Sequence, residues 1–246
     1  MNLRIFDSEQ EAAQSAAEYI INFIKEKPKA VLGLATGSTP LSLYAELAHA
    51  CNDGLNFSGV TTFNLDEYVG LPAEHEQSYR YFMNKNLFSK ININPQNTFV
   101  PDGMANDSQQ ACREYEERIK AAGGIDIQVL GIGSNGHIGF NEPPSAFDSR
   151  TRVVELTEQT ISDNSRFFTS AAEVPRKAIS MGVATILDAK SIILLSYGKG
   201  KAKALRGAVE EQPSEMNPAS ALQLHPNVNF YVDKASASSL TKQHKT

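Results

Sequence analysis

A chain of 246 residues with 23 Lys and Arg against 28 Asp and Glu carries a formal charge of −5, which leaves no basic footprint for a phosphate backbone and argues against nucleic acid as a partner. Its 41% apolar and 21% charged residues suit a globular protein rather than a disordered one, and its length suits a single α/β domain over 1–246. No apolar run approaches the ~20 residues that cross a bilayer, and no basic-then-apolar leader opens the chain, so no membrane partner and a cytoplasmic location are expected.

Met1 to Phe6 reads as a short strand. Ser8 with Glu11 three residues on has the capping-box pattern, opening a helix that runs through Ile20, Ile21 and Ile24 and ends before Pro28. Ala30 to Leu34 is an apolar run between breakers, the signature of a strand covered on both faces. Pro40 stands at a first helical position ahead of Leu41, Leu43, Tyr44 and Leu47. The alternation continues with Val60 to Leu65 as strand, Tyr79 to Phe88 and Asn106 to Ala121 as helices, and Ile125 to Leu130 as strand. Ser191 to Ser196 is a further strand, Lys201 to Val209 a helix and Val228 to Val232 the last strand. Cys51 and Cys112 fall in helical stretches without CxxC or Cys/His spacing and read as free thiols in a reducing compartment.

Strands separated by helical segments imply crossover connections. The expected fold is therefore a single open, largely parallel, doubly wound sheet with helices on both faces, of Rossmann-like type. Such sheets bind ligands beyond the carboxyl ends of their strands, which directs attention to the loops Ala35 to Pro40, Asp66 to Ser78 and Gly131 to Pro143.

In the first loop, Thr36, Gly37, Ser38 and Thr39 bring hydroxyls and free amides to a helix start, either as an anion cradle or simply as a turn and cap. The helix dipole contributes only ~0.3–2 kcal/mol, so a bound phosphate also needs cations, for which Arg166, Lys199 and Lys201 are the candidates. Neither GxGxxG nor GxxxxGK[ST] occurs, which disfavours dinucleotides and nucleoside triphosphates and leaves a smaller phosphate ester.

In the second loop, Asp66 and Glu67 directly follow a strand. A helix cap accounts for one carboxylate more readily than for two. The third loop reads Gly131-Ile132-Gly133-Ser134-Asn135-Gly136-His137-Ile138-Gly139-Phe140-Asn141-Glu142-Pro143, and its four glycines allow close backbone approach to a ligand. His137 with Glu142 five residues on suits acid–base chemistry near neutral pH. Only those two are obvious metal ligands, so no metal is expected.

At this point the chain resembles the glucosamine-6-phosphate deaminases of the glucosamine/galactosamine-6-phosphate isomerase family. The resemblance rests on Leu32 to Pro40, Thr62 to Leu71, Gly136 to Pro143 and Asn164 to Phe168, in that order, and runs to about Asp233. It implies a cofactor-independent enzyme acting on a small sugar phosphate, in which Asp66 moves a proton between carbons 1 and 2 and His137 opens the pyranose ring with Glu142 as its partner. Asn135, where some members carry Asp, joins that catalytic group. Gly37, Ser38, Thr39, Arg166 and Lys201 would hold the phosphate. Arg152 is retained from members activated by N-acetylglucosamine 6-phosphate, whereas Val154 replaces a Lys found in them, which points to a non-allosteric monomer or small homo-oligomer. Two alternatives remain at this stage: a lactonase of the 6-phosphogluconolactonase type, against which the Asp66-Glu67-Tyr68 block speaks, and a sugar-phosphate-sensing module without turnover, for which no helix-turn-helix segment is present.

Overall fold

The opening strand and helix form where the sequence places them. In the computed structural model, which describes residues 1–165, 168 and 173–242, β1 spans Asn2–Phe6 and α1 spans Glu9–Glu26. Ser8 Oγ accepts the Glu11 amide at 3.2 Å, but the reciprocal bond of the capping box comes from Asp7, whose amide donates to Glu11 Oε2 at 3.1 Å. Ala12, Ala13, Ala16, Ala17, Ile20 and Ile24 form the buried stripe of α1, the spacing of one helix face.

The chain continues through β2 (Val31–Leu34), α2 (Leu41–Asn52), β3 (Thr61–Asn64), β4 (Asp66–Tyr68), α3 (Tyr79–Asn86) and β5 (Thr98–Phe99). Then come α4 (Ser108–Ala121), β6 (Ile127–Gly131), β7 (Arg152–Glu155), α5 (Glu158–Ser165), β8 (Lys177–Ser180) and α6 (Val183–Leu187). Strand β9 (Ser191–Ser196), α7 (Ala202–Glu210) and β10 (Val228–Asp233) complete the strands and α-helices among the described residues. Pro40 occupies the cap position, one residue outside the first helical place, and Asp107 caps α4 by accepting the amides of Gln109 and Gln110.

Seven strands form one sheet in the order β1-β10-β9-β6-β2-β3-β5, and every pair in it is parallel. Apolar clusters lie on both of its faces. On one, α1 and α2 bury Ile20, Ile24, Leu43 and Leu47 against Leu32, Leu34, Val129 and Leu195; on the other, α4 and α7 bury Tyr115, Ile119 and Leu205 against Phe63, Leu130, Leu194 and Phe230. Each fully buried Leu, Ile or Phe contributes about 1.5–3 kcal/mol relative to exposure. This is the expected open, doubly wound arrangement. Cys112 is buried and Cys51 half-buried, both as free thiols.

Beside that sheet lies one the sequence did not announce, three antiparallel strands in the order β4-β8-β7 that pair Asp66 with Ser180 and Arg152 with the same Ser180. Its strands have three or four residues each, too few for a period of two to stand out, and β4 is written Asp-Glu-Tyr.

From β2 the chain moves outward through β3 to β5, then returns to lay β6 on the other side of β2 and continues away through β9 and β10. Strand order reverses between β2 and β6, and a crevice opens beyond the carboxyl ends of those two strands. The loops that follow them are the threonine-rich turn at 35–40 and the glycine-rich loop at 131–143.

Candidate functional site

That crevice is a cleft of about 510 Å³, and Thr36, Gly37, Ser38, Thr39, Asp66, His137, Glu142 and Lys201 all line it. Four segments distant in sequence therefore converge, as the fold's switch point requires.

The turn after β2 is shaped by Gly37, whose φ of +92° belongs to the left-handed region open to glycine. The next residues lead directly into α2, and among the described residues no hydrogen bond engages the amides of Gly37, Ser38 or Thr39. Free N–H groups at a helix start form an anion site. Lys201 enters from the single turn of 3-10 helix Lys199–Lys201 that precedes α7, and burial lowers its pKa. Lys199 is exposed and does not line the cleft. Arg166, the other expected phosphate ligand, lies outside the described residues.

Asp66 and Glu67 point to opposite sides of β4, as adjacent strand residues must. Glu67 is 3% exposed, and its carboxylate accepts the amides of Tyr68 and Tyr79 at Oε1 and that of Arg80 at Oε2, all at 2.9 Å. It anchors the start of α3 alongside Ser78, which accepts the Tyr81 amide at 3.0 Å. Of the two adjacent carboxylates, this one is structural.

Asp66 is 5% exposed, and among the described residues no donor reaches its carboxylate. Burial, reinforced by the negative charge of Glu67, pushes its pKa up to about 8. Above it, Gly139 adopts φ +56°, and a Cβ there would stand 3.3 Å from Asp66 Oδ2 and from Ser180 Oγ. An aromatic wall borders the carboxylate: the rings of Tyr79 and Phe140 stack at 6.0 Å and 11°, with Tyr68 4.9 Å from Tyr79.

The glycine-rich loop assembles the third group. His137 Nδ1 lies 2.8 Å from Asn135 Oδ1 and 3.2 Å from Glu142 Oε1, while Asn135 Nδ2 donates to Glu142 Oε2 at 2.6 Å. Both neighbours of Nδ1 are acceptors, so the proton sits on Nδ1 and Nε2 of the neutral ring is left as the acceptor. Burial works to raise the pKa of Glu142, but its hydrogen bond with His137, the attraction of that ring whenever it is protonated, and the bonds from Asn135 and Thr160 outweigh that and hold it at about 2. Gly133 is required here: a Cβ at that position would lie 2.2 Å from Cε1 and 2.3 Å from Nδ1 of the imidazole. Asn141, fully buried, ties the loop down by donating to the carbonyls of Ile138 and Met181 at 2.8 Å and accepting from Arg152 at 2.9 Å.

Sequence reading missed Thr160, which donates to Glu142 Oε1 at 3.1 Å from α5, and the wall of Tyr79 and Phe140. A lone threonine in a polar helix gives no local signal. Phe140, inside the glycine-rich loop, gives one, since a large apolar side chain among glycines calls for a partner. Among the described residues no group of three or more His, Cys, Asp or Glu side chains is placed to hold a metal ion, and no helix is long and apolar enough to cross a membrane.

A family model described as glucosamine-6-phosphate isomerases/6-phosphogluconolactonase matches residues 7–230. The chain is 54% identical to a protein of Thermoanaerobacter pseudethanolicus named glucosamine-6-phosphate deaminase, over 93% of this chain and 91% of that one. It is 56% identical to a protein of the same name from Shewanella loihica, over 98% and 90%. Among solved structures it is similar to a monomeric glucosamine-6-phosphate deaminase, with a TM-score of 0.94 and 47% identity over 97% of this chain and 100% of that one. With 6-phosphogluconolactonase from Trypanosoma brucei it shares the fold, at a TM-score of 0.77 and 20% identity over 98% of both chains.

Proposed function

The chain belongs to the glucosamine-6-phosphate isomerase/6-phosphogluconolactonase family, and from that premise we propose that it converts glucosamine 6-phosphate and water to fructose 6-phosphate and ammonia. Relatives more than 50% identical over nine-tenths of both chains carry the deaminase name, which separates this reading from the lactonase one. The observation that carries it is the meeting of Asp66, His137 and the Gly37 turn around one cleft.

In this reading the amides and hydroxyls of Thr36, Gly37, Ser38 and Thr39, with Lys201 and Arg166, hold the phosphate, and that remote anchoring fixes the reacting carbons. His137, oriented through Nδ1 by Asn135 and Glu142, takes the anomeric hydroxyl proton at Nε2 and returns it to the ring oxygen, which opens the pyranose. Asp66 then removes the proton at carbon 2 and delivers it to carbon 1. The amine-bearing carbon thereby becomes an imine, and water hydrolyses it to the ketone with release of ammonia. The steps are proton transfers and a hydrolysis, with no net change of oxidation state, so the reading is cofactor-independent. A place in cytoplasmic amino-sugar breakdown, and a monomer or small homo-oligomer, complete it; the similar solved deaminase is a monomer.

The test is to supply pure protein with glucosamine 6-phosphate and quantify ammonia and fructose 6-phosphate together. Equal amounts of both are expected. Hydrolysis of 6-phosphogluconolactone with no ammonia from the amino sugar would refute the reading.

A further inference from the structure

Three Asp or Glu residues are buried among the described residues, and two of them are satisfied by the fold. Asp126 takes Lys27 and Lys190 at 2.7 Å and the Val31 amide at 2.8 Å; Glu67 takes three amides. Asp66 takes none. Buried polar groups are ordinarily paired, so an unpaired carboxylate facing an open cleft marks a place where a ligand completes the bonding.

The surroundings say which kind of ligand. On β4 the neighbour of Asp66 is another carboxylate, and across β8 its register partner is the hydroxyl of Ser180. Phenols from α2, α3 and α4, those of Tyr44, Tyr79 and Tyr115, sense its charge but bear none themselves at neutral pH. Arg80 is spent on Thr98, to which it donates twice at 2.8 Å, and Arg152 on Asn141. Among the described residues lining the cleft the cations are Lys201 and, when protonated, His137, and neither pairs with Asp66. Beside Asp66 itself the walls are aromatic rings and the charge that acts on the carboxylate is the negative one of Glu67, a corner that favours a cationic group.

We propose that Asp66 is the recognition site for a protonated amine: the ligand's own ammonium supplies the counter-charge that none of the described residues provides, and the carboxylate becomes an anion, hence a base, when an amino sugar occupies the cleft. This rests on the reading of the cleft as a sugar-phosphate site and adds the means by which it selects an amino sugar over a hydroxy sugar. On binding, the carboxylic acid releases its proton to solvent as the ammonium arrives, and the anion so formed serves as the acceptor for the carbon 2 proton. A hexose phosphate without the amine leaves Asp66 protonated and inert. The elevated pKa of the empty site agrees with this order of events.

Two non-reacting open-chain probes, 2-amino-2-deoxyglucitol 6-phosphate and glucitol 6-phosphate, differ only at carbon 2. Titration calorimetry at pH 6.5 in two buffers of different ionisation enthalpy counts the protons exchanged by each. The amine probe is expected to release close to one proton more than the hydroxyl probe, the shared phosphate cancelling, and to bind about tenfold or more tightly, the range of a charged hydrogen bond. Asp66→Asn is expected to abolish the extra proton and bring the two affinities within about threefold. Equal proton counts for the two probes in the unaltered protein, or an amine preference that survives Asp66→Asn, overturn the proposal while leaving the sugar-phosphate reading intact. Failure of both probes to bind overturns that reading and the proposal with it.

Discussion

Replacing Gly133 by alanine tests the imidazole's place directly. The new Cβ would fall 2.2–2.5 Å from Cε1, Nδ1 and Cγ of His137, where non-bonded carbon contacts settle at about 3.5–4.0 Å. The ring has to retreat by roughly 1 Å, and its bonds from Nδ1 to Asn135 at 2.8 Å and to Glu142 at 3.2 Å cannot both survive that. A displacement of that size at a reacting group costs on the order of 10²-fold, within the ~10²–10⁴-fold that a placed acid–base group contributes. Gly133 is not among the glycines with positive φ, so the backbone itself admits alanine, and the loss is expected in turnover rather than in folding. Steady-state ammonia release should show kcat/KM down about 10²-fold with the melting temperature lowered by only a few degrees. An alanine variant within threefold of the parent would refute the role given to His137.

Further tests address the carboxylate and the phosphate. If Asp66 must be ionised to act, the base form is lost as pH falls through about 8 in the empty enzyme, so kcat/KM should decline on its acid side near that pH, with the limb in kcat displaced to lower pH by the bound ammonium; a flat profile from pH 6 to 9 contradicts both. Asp66→Asn should lose about 10²–10⁴-fold in turnover. The same variant should melt a few degrees higher at pH 8.5: a carboxyl whose folded pKa is raised destabilises the fold as pH climbs from the unfolded value towards 8, and the amide removes that charge. An unchanged or lower melting temperature would argue that the carboxylate has a partner. Lys201→Ala should raise KM for the phosphorylated sugar by about tenfold with a much smaller change in kcat, the loss of one charged contact, and an unaltered KM would remove Lys201 from the cradle.

Much of this was legible in the residues because the signals were local. Strands such as Ser191–Ser196 are continuous apolar runs inside a covered sheet, and the glycines around His137 report a loop packed closely on its own imidazole and on Asp66. What escaped is non-local. The partner of β4, β8, lies more than a hundred residues away and is itself backed by β7, and a three-residue strand has no pattern of its own until that partner pairs with it. Thr160 acts on Glu142 only because α5 folds back over the glycine-rich loop. Glu67 was ambiguous for the opposite reason: a carboxylate that caps a helix twelve residues downstream is indistinguishable in sequence from one that faces a substrate.

The small antiparallel sheet resolves that ambiguity physically. Once β4 is held against β8, the period of two forces Asp66 and Glu67 to opposite faces, one into the cleft and the other onto the amides at the start of α3. The approach is close enough that a Cβ on Gly103 would fall 1.9 Å from the Tyr68 carbonyl oxygen, so the strand has little room to slip. Identical chemistry thus divides into two roles by direction alone. Glu67 stabilises the corner by satisfying orphan amides, while Asp66 destabilises it by standing buried and unpaired, and the rigidity of the first keeps the second from swinging out to water. A carboxylate left free to rotate would find solvent, return to an ordinary pKa and lose both its basicity and its preference for a cation.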